Sequence, residues 1–340
     1  MRQPSIAIFG AGAIGLYLAS QFSAAGIRHT LVNRPGKSLP SPLLVEDHEG
    51  RRSQHDIVQA PADRPATHDF VIVTVKAHQL AAALPQIKAW LGPQGELVLA
   101  QNGLPWWYFQ GLAGEHGGRP LRAADPDGSL LAGIDLRRTS ACVIHKSVEH
   151  PEPGRIVAFS TPGDRFIFGR PLGGNDAALH GLLATLRLAG LPAEASTDIR
   201  HDLWDKLLGN VVLNPLSAAT GRDLAALLAD AETQASIKAG MLEAQAVAQA
   251  FGIPPGRSIA ERMARTEAVA RRGSFRTSML QDRLAGKPLE LEPIVGAVIE
   301  LARLKAVPTP TLDRLYAEAR AVSPKFFIDQ ENHHEQPETA

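Results

Sequence analysis

Residues 6–15 read IAIFGAGAIG: an apolar run that stops at Gly10, Gly12 and Gly15. LYLASQFSAAG follows, apolar at helical spacing and closing on Gly26. This is strand, tight turn and helix at the start of the chain. Gly10 permits the turn, Gly12 removes the Cβ that would hold a pyrophosphate away from the backbone, and Gly15 lets helix and strand pack closely. The helix N-terminus adds unpaired N–H groups and a partial positive charge. The alternative, a glycine-rich turn in an ordinary α/β unit, does not need the glycines at these three places.

A second strand is expected at 29–33, HTLVN. An NAD site usually carries Asp or Glu at its end, accepting hydrogen bonds from the ribose 2′-OH. This chain has Asn33, then Arg34, with Lys37 close by. A carboxylate would repel a 2′-phosphate and Arg34 would pair with it, so the reading favours NADP(H). A flavin fits the glycines alone, but the basic residue argues against it.

Further strands are expected at 69–75 (DFVIVTV) and 96–101 (ELVLAQ), with a helix near 78–91 between them: the grammar of a doubly wound parallel sheet. From 104 to 137 periodicity fails in a Gly-, Pro- and aromatic-rich excursion. Its Trp106 and Trp107 line a pocket or, more simply, plug a core edge. Strands return at 139–145, 155–159 and 165–169, then a helix at 176–189. After 195 strand signals vanish and helices are expected at 198–219, 224–251, 258–270, 274–285 and 291–305. The fold class is therefore an α/β Rossmann-type doubly wound domain (1–195) followed by an all-α helical domain (196–325). The polar end, 326–340, reads as a disordered tail.

The 340 residues carry 35 basic and 35 acidic side chains, so no net field draws nucleic acid or an anionic membrane. Cys142 is the only cysteine, which rules out an internal disulfide, and the scattered histidines show no metal-ligand spacing. His333 and His334 belong to the polar tail. No apolar run approaches the roughly 20 residues of a membrane span. The first strand starts too early for a signal peptide, and a cytoplasmic setting is expected.

The segment 200–219 is apolar around most of its circumference. Lys206, Asn210 and Asn214 nevertheless recur at i, i+4 and i+8 and share one side. Buried, that stripe needs polar partners, which a bound ligand would supply; on a solvated face it would need none. Asn is a poor helix former, which favours a functional reading. A desolvated lysine has a lowered pKa, suited to proton donation near neutrality. Pro215 is expected to kink or end the helix. Ser278 and Asp282 lie one turn apart downstream. Glu290, at a helix start, is by itself best read as a carboxylate favoured by the helix dipole.

In combination GAGAIG, VTVKAHQ with Lys76, QNGL with Asn102, LWDKLLGNVVLNPLSA, TSMLQD with Ser278, and Glu290 resemble the ketopantoate reductase (2-dehydropantoate 2-reductase) family over nearly the whole chain. The resemblance implies an active site in the cleft between a Rossmann domain and a helical domain. It implies that Lys206 binds the substrate and protonates its carbonyl oxygen. Asn210, Asn214 and Ser278 would hold the keto acid, and Asn102 would lie between cofactor and substrate. Lys76 and Glu290 would contact the cofactor, Glu290 also serving catalysis. Gly10, Ala11, Gly12, Ala13, Ile14 and Gly15 would cradle the NADP(H) pyrophosphate, with Arg34 on the 2′-phosphate. No metal is implied. The expected reaction is reduction of a 2-keto acid, ketopantoate first, in pantothenate and coenzyme A synthesis; a homodimer is a possible assembly. Alternatives are a bulkier 2-keto acid on the same scaffold, or a non-catalytic NADP-binding sensor, which would not need the Lys–Asn–Asn stripe. The excursion from Trp106 to Arg138 is longer than in compact relatives and is expected to lie on the cofactor domain, able to cover the cleft.

Overall fold

The computed structural model describes residues 3–161, 163–254, 256–271 and 275–324. The expected tail at 326–340, with His333 and His334, lies outside the described residues.

Strand β1 (Ile6–Phe9) enters helix α1 (Ala13–Ala24), followed by β2 (His29–Asn33), β3 (Leu43–Asp47), β4 (Arg52–His55), β5 (Gln59–Pro61) and β6 (His68–Val73). Then come α2 (Leu80–Trp90), β7 (Leu91–Leu99), α3 (Ser129–Gly133), β8 (Thr139–His145), β9 (Ser147–Glu152), β10 (Arg155–Phe159), β11 (Arg165–Gly169), α4 (Ala177–Leu188) and β12 (Ala193–Ala195). Eight strands form one sheet in the order β12-β11-β8-β7-β6-β1-β2-β5. It is parallel except where β11 runs against β8. β1 and the later parts of β6 and β7 (Phe70–Val73 and Leu97–Leu99) are apolar and buried, as parallel strands covered on both faces must be. One core lies under α1 and α4, around Phe22, Phe166 and Leu182. The other lies under α2, around Ile87, Trp90 and Trp107.

A second sheet of four strands, β4-β3-β10-β9, packs against α1. The sequence reading missed it: β3 and β4 carry too many charged and polar residues to read as core strands, and the expected strand at 155–159 belongs here, not to the main sheet.

The rest is helical: α5 (Ile199–Thr220), α6 (Leu224–Leu228), α7 (Ala231–Ala250), α8 (Ile259–Ala270), α9 (Ser278–Leu284), α10 (Ala297–Leu304) and α11 (Pro310–Val322). Their core gathers Val211, Val212, Met241, Leu301 and Leu315. Three expectations need correction. Pro215 does not end α5, which runs to Thr220 and stops where Gly221 takes φ 74°; packing against α7, α9 and α11 outweighs the proline penalty of about 3 kcal/mol. The expected helix 224–251 is two, because Asp230 turns back to accept from the N–H groups of Glu232 and Thr233 and so starts α7. The expected helix at 291–305 opens as a π turn over Glu292–Gly296, which contains Pro293, before α10.

The excursion is corrected as well. Leu104, Tyr108, Phe109 and Leu121 are buried in the helical core, not laid over the sheet. Arg200 on α5 donates to the Tyr108 carbonyl oxygen (2.7 Å), Trp204 Nε1 donates to the Tyr108 hydroxyl (2.8 Å), and Glu300 on α10 accepts from the N–H groups of Arg122 and Ala123. Trp106 and Trp107 pack into the sheet core. The segment joins both cores instead of forming a lid.

Candidate active site

The site lies at the carboxyl ends of β1, β6 and β7, adjacent parallel strands of the main sheet. In an open α/β sheet this is where ligands bind. β1 delivers the glycine turn. Gly10 takes φ +120°, and a Cβ there would stand 2.9 Å from Thr74 Oγ1; a Cβ at Gly15 would stand 1.9 Å from the Gly10 carbonyl oxygen. Gly12 is different: a Cβ there would meet nothing within 4 Å. Turn and helix are thus pressed together at Gly10 and Gly15 and open at Gly12, before the first-turn N–H groups of α1 from Ala13 onward. Ala11 and Ile14 pack against the core beneath. A dinucleotide pyrophosphate fits this arrangement.

Arg34 is exposed just beyond β2. Asn33 is buried, and its amide donates to Gln59 Oε1 at 2.6 Å, so no carboxylate occupies the strand end.

After β6, Lys76 starts a 3-10 turn, Ala77–Gln79, that leads into α2. Its Nζ donates to Asp282 Oδ2 and Glu290 Oε2, both at 2.9 Å. Glu290 Oε1 accepts from the Ala77 N–H at 3.0 Å. Glu290 therefore serves the start of a helix other than its own, bridging from the helical side to the sheet. Burial alone would raise the Glu290 pKa, but Lys76 and the Ala77 N–H hold it below the usual range. Burial works against the charge on Lys76 too, and the two carboxylates overcome it and raise its pKa. Burial raises the Asp282 pKa despite Lys76. The sequence had marked Asp282 only as one turn beyond Ser278; its pairing with Lys76 has no local signature.

After β7, Gln101 donates to the carbonyl oxygens of Val73 and Val75 and holds the loop over the end of β6. Gly103 takes φ +87°, and a Cβ there would stand 2.3 Å from the Pro293 carbonyl oxygen, to which the Leu104 N–H donates at 2.7 Å. This close approach places Asn102 opposite α5, where its Oδ1 accepts from Lys206 Nζ at 2.6 Å.

Burial lowers the Lys206 pKa to about 8; Cys142 and Glu290 oppose the shift and Lys76 adds to it. Asn210 is half-buried and Asn214 is 5% exposed, and neither side chain has a hydrogen-bond partner among the described residues. The stripe is thus partly enclosed and incompletely satisfied, the condition a polar ligand would relieve. Ser278 stands apart: it is exposed at the first turn of α9, where Thr277 provides the cap, and no hydrogen bond joins it to Lys206 or the asparagines. The arrangement offers an ammonium with a near-neutral pKa, unpaired carboxamides on the next turns and a dinucleotide cradle on the facing strand ends.

Residues 6–105 match the model of the ketopantoate reductase PanE/ApbA family, and residues 198–323 match that of its C-terminal domain. A 2-dehydropantoate 2-reductase from Mesorhizobium japonicum is 39% identical over 94% of this chain and 97% of its own. A candidate ketopantoate reductase from Ralstonia solanacearum MolK2 superposes with a TM-score of 0.83 at 34% identity, over 94% of this chain and 98% of that one. D-mandelate dehydrogenase, in a ternary structure with NADH and anilino(oxo)acetate, shares the fold at 20% identity, with a TM-score of 0.78 over the same shares. The glycine turn, the Lys76–Glu290 bridge and the Lys206–Asn102 pair thus sit in a chain that belongs to the ketopantoate reductase family, oxidoreductases of the 2-dehydropantoate 2-reductase type.

Proposed function

We propose that this chain reduces ketopantoate to pantoate with NADPH, the sheet unit (1–195) holding the cofactor and the helical unit (196–325) the acid. The observation that carries the reading is the enclosed Lys206 amine, aimed across the seam at Asn102. When bound, the nicotinamide supplies the hydride. Negative charge then grows on the keto oxygen, and Lys206 stabilises it and gives up its proton. Asn210 and Asn214, with unpaired amides on the same face, hold the acid so that its carbonyl stays at the lysine. Asn102 fixes the direction of the amine. Lys76 and Glu290 hold the cofactor side of the cleft.

NADP specificity rests on Arg34 and on the neutral Asn33 at the end of β2. A ketopantoate reductase from Staphylococcus aureus, 23% identical with a TM-score of 0.71 over 94% of this chain and 98% of its own, is described as dimeric; a homodimer is the assembly proposed here. The test is loss of NADPH absorbance with ketopantoate against a panel of 2-keto acids, repeated with NADH. Ketopantoate with NADPH should give the highest kcat/KM. Tight NADPH binding with no oxidation by any keto acid would overturn the reading.

A further inference from the structure

A basic cluster that the proposed reduction does not use lies at the same edge of the sheet. β8 runs parallel to β7, so His145 ends at the edge that carries Asn102, and β11, running against β8, starts there with Arg165. His145 and Arg165 are register partners, so their side chains leave one face of the sheet. In strand order the edge therefore carries Arg34 after β2, the glycine turn, Lys76, Asn102 with Lys206, and last His145 with Arg165. The helical unit adds Asp205, the residue before Lys206 on α5, then Arg257 ahead of α8, and Arg262 and Arg265 on α8.

Two of these arginines have a structural task. Arg257 donates to Asp205 Oδ2 at 2.5 Å and Arg262 to Asp205 Oδ1 at 2.8 Å, which ties α8 to α5 and occupies the carboxylate. The other two are surplus. Arg165 stands 3.8 Å from Asp205, beyond a hydrogen bond, and its Nε is buried without a partner among the described residues. Arg265 is exposed, and its Nη2 comes within 3.4 Å of the position a Cβ on Gly163 would take, two residues ahead of Arg165. Desolvation and then the like charges of Arg257 and Arg165 lower the Arg265 pKa, against Asp205. The neighbouring acids are engaged elsewhere: Asp164 pairs with Lys146 at 2.6 Å, and Glu261 accepts from the Ser258 N–H and hydroxyl. His145 Nε2 is also buried without a partner among the described residues. Like charges gathered in this way are relieved by an anion placed among them.

We propose that Arg165, Arg265 and the His145 imidazole form a binding site for an oxyanion, a carboxylate or phosphate group, at the end of the strand-edge row opposite Arg34. Guanidinium groups take such anions through paired N–H donors. Burial, and then the charges of Lys206 and Arg165, lower the His145 pKa to about 4, so near neutrality the ring offers an N–H without adding repulsion. The site goes beyond the proposed reaction and does not depend on ketopantoate being the substrate. Two sources carry such a group: the far end of a dianionic 2-keto acid whose carbonyl lies at Lys206, or a separate anion bound beside the acid.

The test is calorimetric titration of inorganic phosphate, in low-salt Tris buffer, into protein saturated with NADP⁺ so that the dinucleotide cradle is already filled. The wild type should show a saturable site. Arg165→Gln and Arg265→Gln should each weaken it about tenfold, as loss of one charge-assisted contact does, while thermal midpoint and NADPH affinity stay near wild type. No saturable site in the wild type, or equal phosphate affinity in all three proteins, overturns the proposal. Repeating the titration with ketopantoate and with 2-oxoglutarate present separates the sources. Displacement of phosphate by 2-oxoglutarate alone assigns the site to the far carboxylate of a dianionic acid; phosphate binding unchanged by either assigns it to a separate anion. Displacement by ketopantoate puts the phosphate in the keto-acid pocket itself and overturns the proposal. Turnover of ketopantoate judges the reductase reading independently of every one of these titrations.

Discussion

Lys206 and Asn102 are 104 residues apart in the chain, yet the lysine amine donates to the asparagine amide oxygen at 2.6 Å. One sits on the longest helix and the other on the loop leaving the middle of the sheet, so the contact closes the seam between the two units. Among the described residues the lysine has no carboxylate in hydrogen-bond contact, and its partner Asn102 is neutral. That is why burial wins and its pKa falls to about 8.

Replacing Lys206 by Ala removes the proposed proton donor and, with it, the charge proposed to meet the growing oxyanion. Turnover should drop by about 10²- to 10⁴-fold, while NADPH affinity stays within about threefold. Stopped-flow turnover and fluorescence titration separate the two effects. Near-normal turnover would remove Lys206 from the chemistry.

The pH dependence has a definite sign. The proposed donor is the Lys206 ammonium, which is lost as pH rises through its pKa. Reduction by the wild type should fall above about pH 8, the value burial sets for Lys206. An ordinary exposed lysine would hold the rate until above about pH 10. The pH profile of kcat/KM for the keto acid measures this directly.

Lys76→Ala should destabilise the protein. Glu290 would keep the Ala77 N–H but lose its cation; because the Lys76 side chain is 34% exposed, the loss should be about 1–3 kcal/mol, below the cost of breaking a fully buried pair. The sign of the pH effect follows from the depressed Glu290 pKa. Its stabilising contribution is present above the unfolded carboxylate pKa and is lost as pH falls through the folded one. In the variant that contribution is gone, so the gap between wild type and variant should be widest near neutrality and shrink on acidification. Urea denaturation at several pH values reads it.

Gly103→Ala joins a disfavoured backbone angle to a collision, since the added Cβ would stand 2.3 Å from the Pro293 carbonyl oxygen. The loss should exceed about 2 kcal/mol. Activity should fall further than stability, because the displaced loop carries Asn102. Alanine at Gly12, where a Cβ meets nothing within 4 Å, should leave stability nearly unchanged and weaken NADPH binding instead. Thermal melts and NADPH titration of the two variants give the contrast.

The glycine turn, the parallel strands around it and the Lys206–Asn210–Asn214 stripe were legible because each is local: three glycines at fixed spacing, apolar runs, one helical period. The ion cluster was not. Lys76, Asp282 and Glu290 meet only after the sheet and the helices dock, and Glu290 alone looked like an ordinary first-turn carboxylate. The second sheet escaped because its strands are half-exposed and charged. The path of the excursion escaped because it has no period, and only tertiary contact decides which core receives its aromatics. Pro215 does not end its helix for a related reason: local backbone preference gave way to the surfaces packed around α5.

That excursion also bears on dissection of the molecule. A fragment ending at Ala195 would keep every strand of both sheets, yet it would carry Leu104, Tyr108, Phe109 and Leu121 stripped of the helices that cover them. The matching fragment from Ile199 onward would lack the tyrosine that satisfies Arg200 and Trp204. Neither piece makes a sound product by itself: the chain has two lobes by shape and one indivisible interior by chemistry.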